Sequence, residues 1–307
     1  RGCSSIFVLK QGKIYYRNYI GYRWRTNNKL LIMLENIFRL DEKVIVITGA
    51  AGLLGKKHAE AIACYGGIPI LIDIDQNKLD IVVNEINENY QINCKGYVVD
   101  ITVEEQIKEN ITELIKDYGK VDGLINNAAN NPKIEKKNDI EFSRLENFAQ
   151  HTWNNDIDVG LKGAFLCSKY YGNEISNNPN GGSIVNISSD LGLIAPDQEL
   201  YMEEDLPNNK QPVKPVTYSI VKSGIIGLTR YLATYWPKSK VRCNALCPGG
   251  IENNQSEEFL NKISKKIPMG RLAKAEEYQG TIIWLLSDAS SYLNGAIISV
   301  DGGRTVW

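Results

Sequence analysis

The run Thr48-Gly49-Ala50-Ala51-Gly52-Leu53-Leu54-Gly55 has the residue types and spacing to hold a phosphate. Glycines let the backbone turn tightly and approach a pyrophosphate, and a helix starting there would point its N-terminus at the anion. An apolar strand-like run precedes it and a helical pattern follows, which is the context such a turn requires. A nucleoside-triphosphate loop is excluded, because the Gly49 to Gly55 spacing is one residue too long and Lys57 stands where a magnesium-binding Ser or Thr belongs. Asp73 closes the second apolar run, 24 residues after Gly49. A carboxylate there can accept hydrogen bonds from an adenosine ribose 2′-hydroxyl and would repel a 2′-phosphate, so NAD is expected over NADP. Asp75 is the better candidate to cap the next helix, which leaves Asp73 for the ligand.

Positioning these residues requires strands that alternate with helices. VIVIT (44–48), IPILID (68–73), GYVVD (96–100), VDGLIN (121–126), SIVNIS (183–188), VRCNAL (241–246) and AIISV (296–300) are seven candidate strands. Helical patterns fill roughly 53–65, 76–90, 103–118, 152–177, 216–236, 256–265 and 275–287. Near-continuous apolar strands separated by helices predict a parallel, doubly wound α/β sheet covered on both faces. Two polar intervals, 130–150 and 193–215, follow strands four and five. Ligands bind outside those strand ends, so both intervals are candidate walls of a substrate site.

The 307 residues are 43% hydrophobic and 23% charged, an ordinary globular composition that excludes disordered and fibrous chains. Their net charge of -1 hides an uneven distribution. Residues 1–32 carry seven basic and no acidic side chains, leaving 28 basic against 36 acidic residues, or -8, in the remainder. So acidic a body argues against nucleic-acid and membrane partners, and only the basic, aromatic residues 1–32 could form an arm for RNA or a membrane surface. Residues 1–40 are expected to be an N-terminal extension, disordered or foreign to the native protein, with 41–307 as one domain. Six dispersed cysteines without a CxxC pair, and only His58 and His151, predict no metal site and reduced thiols in the cytoplasm. No apolar run reaches the roughly 18 residues of a membrane span. A hydrolase is excluded, since the chain lacks a GxSxG elbow.

In order, the chain shows the TGAAGLLG turn, Asp100-Ile101, Asn126-Asn127-Ala128-Ala129, Ser189 in ISSDLG, Tyr218-Ser219-Ile220-Val221-Lys222, Pro248-Gly249 and Val300-Asp301-Gly302-Gly303. Together these resemble the classical short-chain dehydrogenase/reductase family over roughly residues 41–307. The resemblance implies a Rossmann-type, seven-stranded, single-domain fold that transfers hydride between NAD and an alcohol or ketone. It implies Ser189, Tyr218 and Lys222 as catalytic residues. Gly49, Gly52, Leu54, Gly55, Asp73, Asp100, Ile101, Asn127, Ala128, Pro248, Gly249 and Ile251 would bind the cofactor, joined by Tyr218 and Lys222. It also implies a homo-oligomer, dimer or tetramer, acting on a small molecule. Tyr218 and Lys222 lie four apart on a predicted helix, hence on one face. A phenol of pKa about 10 is a poor base. The ammonium, with the positive nicotinamide ring, would lower that pKa by roughly 1–3 units and make Tyr218 a usable acid and base. Alone, the same spacing fits an amphipathic helix surface. Ser189 would orient the substrate oxygen, with Ser188 as the second candidate.

Three departures qualify the resemblance. Leu53 stands where the middle glycine is usual, a spacing similar to extended members such as sugar-nucleotide epimerases and dehydratases. Gly160 in WNNDIDVGLKG takes the place of the common Asn. Ser189 and Tyr218 are 29 positions apart, with YMEEDLPNNKQPVKP between them. These features resemble a subgroup associated with bacterial surface-sugar and flagellin modification, so a sugar-like substrate is expected. The acidic Glu203, Glu204 and Asp205 would tend to keep phosphates from the site. The other readings are an epimerase or dehydratase that recycles NAD internally, against which only about 60 residues follow strand six, and an NAD-binding scaffold that has lost its chemistry.

Overall fold

The computed structural model describes residues 6–10, 13–17, 25–26, 36–130 and 143–307. Most of the interval 130–150 therefore lies outside the described residues. Near the start of the chain, Ile6–Lys10, Lys13–Arg17 and Arg25–Thr26 pair as a small antiparallel sheet of their own.

The body is built on seven parallel strands: β1 (Val44–Thr48), β2 (Ile68–Asp73), β3 (Gly96–Val98), β4 (Gly123–Asn126), β5 (Gly182–Ile187), β6 (Val241–Pro248) and β7 (Ile297–Val300). Their spatial order is β7-β6-β5-β4-β1-β2-β3. The chain thus runs outward from β1 to one edge, returns to β4 and continues to the other. The crevice between β1 and β4 is where the strand order reverses, the place where such sheets bind ligands.

Alternation along β1 explains the layering. Ile45 and Ile47 face one core with helices α1 (Leu53–Cys64), α2 (Gln76–Tyr90) and α8 (Gln279–Leu286). Val44 and Val46 face the other, against α3 (Glu104–Tyr118), α5 (Gly163–Asn177) and α6 (Val216–Tyr235). All five β1 residues are buried, as a strand covered on both faces must be. Asp75 caps α2 by accepting the Lys78 N–H at 3.1 Å. Helix α4 (Gln150–Ile157) runs into α5 through a π-helical turn at Asp158–Lys162. Among the described residues, no helix is long and apolar enough to cross a membrane.

The seven strands and seven helical stretches expected from sequence are present, with ends displaced by a few residues. The final stretch divides into a 3-10 turn at Ala275–Tyr278 and α8. Helix α7 (Glu257–Ser264) packs under the long 193–215 segment. Leu200 joins Ile263, Ile267 and Leu272 in a small core of their own.

Candidate functional site

A cavity of about 730 Å³ opens along the C-terminal ends of the strands. At its glycine-turn end, Gly49 takes φ +62, and a Cβ there would stand 2.9 Å from the Ala128 Cα, so only glycine lets β1 turn beside β4. A Cβ on Gly55 would come within 2.2 Å of the Gly49 carbonyl oxygen. Gly55 therefore serves the close packing of α1 on the turn and does not line the cavity, unlike Gly49, Gly52, Leu53 and Leu54. Gly52 caps α1 without a side chain, so the first-turn N–H groups carry no capping side chain and can face an anion.

Asp73 is fixed at the β2 end by backbone donors. One oxygen accepts from Ala51 N at 2.9 Å, the other from Ile74 N at 2.8 Å and Asp75 N at 3.2 Å. Each oxygen has two lone pairs, so the carboxylate keeps acceptor capacity toward the cavity it lines. Asn127 donates from Nδ2 to the carbonyls of Thr48 and Gly49, both at 3.0 Å, and clamps β4 to the glycine turn. Asp100, Ile101, Ala128, Pro248, Gly249 and Ile251 also border the cavity. An open glycine cradle, an uncapped helix start and a carboxylate some distance along form a donor and acceptor set that fits a dinucleotide.

At the other end, three residues from two parts of the chain line the cavity. Ser189 follows β5 and is buried. Tyr218 and Lys222 lie one turn apart on α6, and the Lys222 Nζ is 5.8 Å from the Tyr218 ring centroid. Lys222 donates to the Ile187 carbonyl at 2.9 Å, and burial holds its pKa down to about 8. The acidified phenol expected from sequence is not a property of the chain alone. Burial raises the Tyr218 pKa and Asp190 adds to the rise, while the hydrogen bond with Ser189 opposes them. Desolvation of the phenolate outweighs what the protein returns to it. Ser188, the second candidate, gives its hydroxyl to the Lys222 carbonyl at 2.7 Å and so anchors α6.

Gly160 lies in the π-helical turn, where a Cβ would come within 2.5 Å of the Val221 Cγ1. The contact between this turn and α6 leaves no room for an Asn side chain. Behind it, the buried Asp156 accepts from Asn130 Nδ2 at 2.8 Å and from the Thr217 hydroxyl.

Three charged residues at the substrate end were not singled out from sequence. Lys214 lines the cavity with its Nζ 3.8 Å from the Tyr218 ring centroid, and burial holds its pKa down to about 8. Asp190 and Arg304 form a buried ion pair at 2.9 Å. The expected acidic lining is corrected accordingly. Glu203, Glu204 and Asp205 are not among the residues that border the cavity, and the long loop turns Tyr201 and Lys214 inward instead. Gln211 causes this by folding the loop on itself, accepting from Glu203 N and donating to the Glu203 and Leu206 carbonyls. The Lys214 signal was available in sequence as an isolated Lys four positions before Tyr218; the Asp190–Arg304 signal was not, because the pair spans 114 positions.

Comparison with known proteins follows the same geography. The short chain dehydrogenase family model matches residues 43–201, and an enoyl-(acyl carrier protein) reductase model matches 209–305. A 3-oxoacyl-(acyl-carrier-protein) reductase of Thermotoga maritima is 34% identical over 272 residues, covering 87% of this chain and 100% of its own. A post-translational flagellin modification protein A of Campylobacter coli is 30% identical, covering 86% and 98%. Both nicotinamide cofactors occur in the names of other relatives at 30% and 31% identity, an NAD-dependent glycerol dehydrogenase of Listeria innocua and an NADP-dependent mannitol dehydrogenase of Alternaria alternata. Among solved structures, gox2181 superposes with a TM-score of 0.78 at 26% identity, over 89% of this chain and 99% of that one.

Proposed function

The chain belongs to the short-chain dehydrogenase family, and on that premise we propose that it is an NAD-dependent oxidoreductase interconverting a secondary alcohol and a ketone on a small, sugar-like molecule. The observation that carries this reading is the meeting of Ser189, Tyr218 and Lys222 at one end of a cavity whose other end holds the glycine turn and Asp73. A nicotinamide dinucleotide bound there supplies the hydride acceptor and a positive ring. Gly49, Gly52 and the start of α1 would hold its pyrophosphate, and Asp73 would accept from its adenosine ribose diol. Lys222, held by the Ile187 carbonyl with its Nζ 5.8 Å from the Tyr218 ring centroid, would hold the second ribose. Tyr218 takes the proton from the substrate hydroxyl as the hydride leaves the same carbon. Ser189 holds the substrate oxygen against Tyr218, which keeps the reacting carbon in register.

Support for NAD over NADP is the Asp73 carboxylate, which lines the cavity at the end of β2 and would repel a 2′-phosphate. Support for a hydroxyl-rich substrate is the polar lining of Asn130, Asn253, Gln255 and Tyr201. Of the chain after β6, Phe259 and Ile263 of α7, with Leu272 and Arg304, line the site. Exposed Trp153, Phe165, Tyr231 and Tyr235 on α4 to α6 support self-association into a homo-oligomer.

A panel of polyols, sugars and hydroxy acids with NAD, followed by NADH absorbance, tests the reading. Turnover is expected with at least one of them, and product formed without net NADH would favour the internal cycle. Tyr218→Phe is expected to reduce turnover at least a thousandfold and leave NAD binding intact, as measured by NADH fluorescence. An active variant would remove Tyr218 from the proposed role.

A further inference from the structure

Ser189 has one proton and two acceptors competing for it. Its Oγ lies 2.7 Å from Asp190 Oδ1, to which it donates, and in the cavity it lines with Tyr218 it would have to give the same proton to the reacting oxygen. The Leu191 N–H is shared between Asp190 Oδ1 at 2.8 Å and Ser189 Oγ at 3.2 Å. Whether the proton faces Asp190 or the reacting oxygen therefore depends on how strongly Asp190 holds it. The second Asp190 oxygen is taken by Arg304 Nη1 at 2.9 Å. Arg304 reaches this point from the far end of the chain through Gly302 at φ +65 and Gly303 at φ +90, two left-handed turns that only glycine adopts cheaply. Asp301 closes the turn by accepting from Gly303 N and Thr305 N, both at 2.9 Å.

We propose that Asp190 and Arg304 are positioning residues that set the orientation of the Ser189 hydroxyl, Arg304 neutralising Asp190 so that the Ser189 proton is free to turn to the reacting oxygen. The proposal rests on the dehydrogenase reading and adds a part contributed by the C-terminal turn. With the guanidinium in place, Asp190 is a weaker acceptor for Ser189 and a weaker source of negative potential at Tyr218. Removing Arg304 leaves Asp190 to hold the serine proton and to oppose the phenolate. Removing the Asp190 charge does the reverse. The other charged or titratable groups around Tyr218 are Lys222 from α6, Lys214 from the loop before it, Tyr201 from the loop over α7 and the buried Asp156 of α4, which borders a small cavity with Tyr218 and Lys222, and none of them changes in the variants.

The test is an NMR pH titration of the full chain labelled with 13Cζ-tyrosine, the Tyr218 signal being identified by its loss in Tyr218→Phe. Asp190→Asn is expected to lower the Tyr218 midpoint by about one unit. Arg304→Met is expected to raise it, Arg304→Lys to leave it near the wild-type value, and Asp190→Asn combined with Arg304→Met to match Asp190→Asn alone. A rise from Arg304→Met that persists in the Asp190→Asn background, or a midpoint that neither substitution moves, overturns the proposal. If Arg304→Met does not fold, Asp190→Asn and Arg304→Lys carry the same decision. In mannitol oxidation with NAD, Arg304→Met is expected to lower kcat about tenfold without changing KM for NAD, and to add nothing in a Ser189→Ala background. An equal further loss in that background overturns it. If the wild type produces no NADH from mannitol, the titration still decides this proposal, and the failure belongs to the functional reading.

Discussion

Asp73 is the residue on which the proposed preference for NAD rests. Its oxygens are already oriented by three backbone N–H groups, so presenting them to a ribose diol costs little further ordering. Asp73→Ala is expected to weaken NAD by tenfold to a hundredfold, about 1.5–3 kcal/mol for a lost charged hydrogen bond. NADP is expected to weaken less or to bind more tightly, since the repulsion of its 2′-phosphate goes as well. Titration of both cofactors against cofactor fluorescence checks this, and equal weakening would show that Asp73 only supports the turn through Ala51. At the same scale, the glycine turn, Asp73, Tyr218 and Lys222 were legible because each signal is local: a strand-turn-helix sequence, a strand end, a four-residue helical spacing. The environment of Tyr218 was not. Its raised pKa is set by burial and by Asp190, neither of which has a local mark around residue 218.

Helices α1 and α6 owe their placement to close contacts that small residues permit. Gly160 brings the π-helical turn against Val221. Gly160→Ala is therefore expected to destabilise the fold by about 1–3 kcal/mol through overpacking. Chemical denaturation should detect this, and Val221→Ala in the same chain should recover part of the loss. On α1, His58 is fully buried, and neither ring nitrogen has a partner among the described residues. Burial alone holds its pKa down to about 3, against an ordinary 6.5. The folded chain thus keeps His58 neutral, while the unfolded chain binds a proton below about pH 6.5. The stability tied to neutral His58 is complete above that pH and is lost as pH falls toward 3, at up to about 1.4 kcal/mol per unit. His58→Leu is expected to reduce the loss of stability between pH 7 and pH 5 by about 2 kcal/mol, measured by denaturant titration at both pH values. An unchanged difference would mean that His58 is solvated in the folded chain.

The strands form two separate sheets, the small antiparallel one and the seven-stranded one, and the segment leading into β1 is tied to the body built on the latter by Ile37, whose carbonyl accepts from Ala289 N at 3.1 Å, and by the fully buried Leu40. We propose that the body folds by itself. A chain starting at Met33 is expected to keep its melting temperature within a few degrees and its affinity for NAD, and a large loss of either would make the first residues part of the fold. The near-zero net charge then has little bearing on the site, whose charges are local: Asp73 at one end, Lys214, Lys222 and the Asp190–Arg304 pair at the other. Strand and helix positions, the doubly wound sheet and the cofactor turn could all be read from one dimension, because hydrophobic period and glycine placement are properties of neighbouring residues. The direction of the long loop, with Lys214 inward and Glu203 to Asp205 elsewhere, and the pairing of Asp190 with Arg304 could not. They depend on which distant segments the sheet brings into contact, and on how much water that contact removes from each charge.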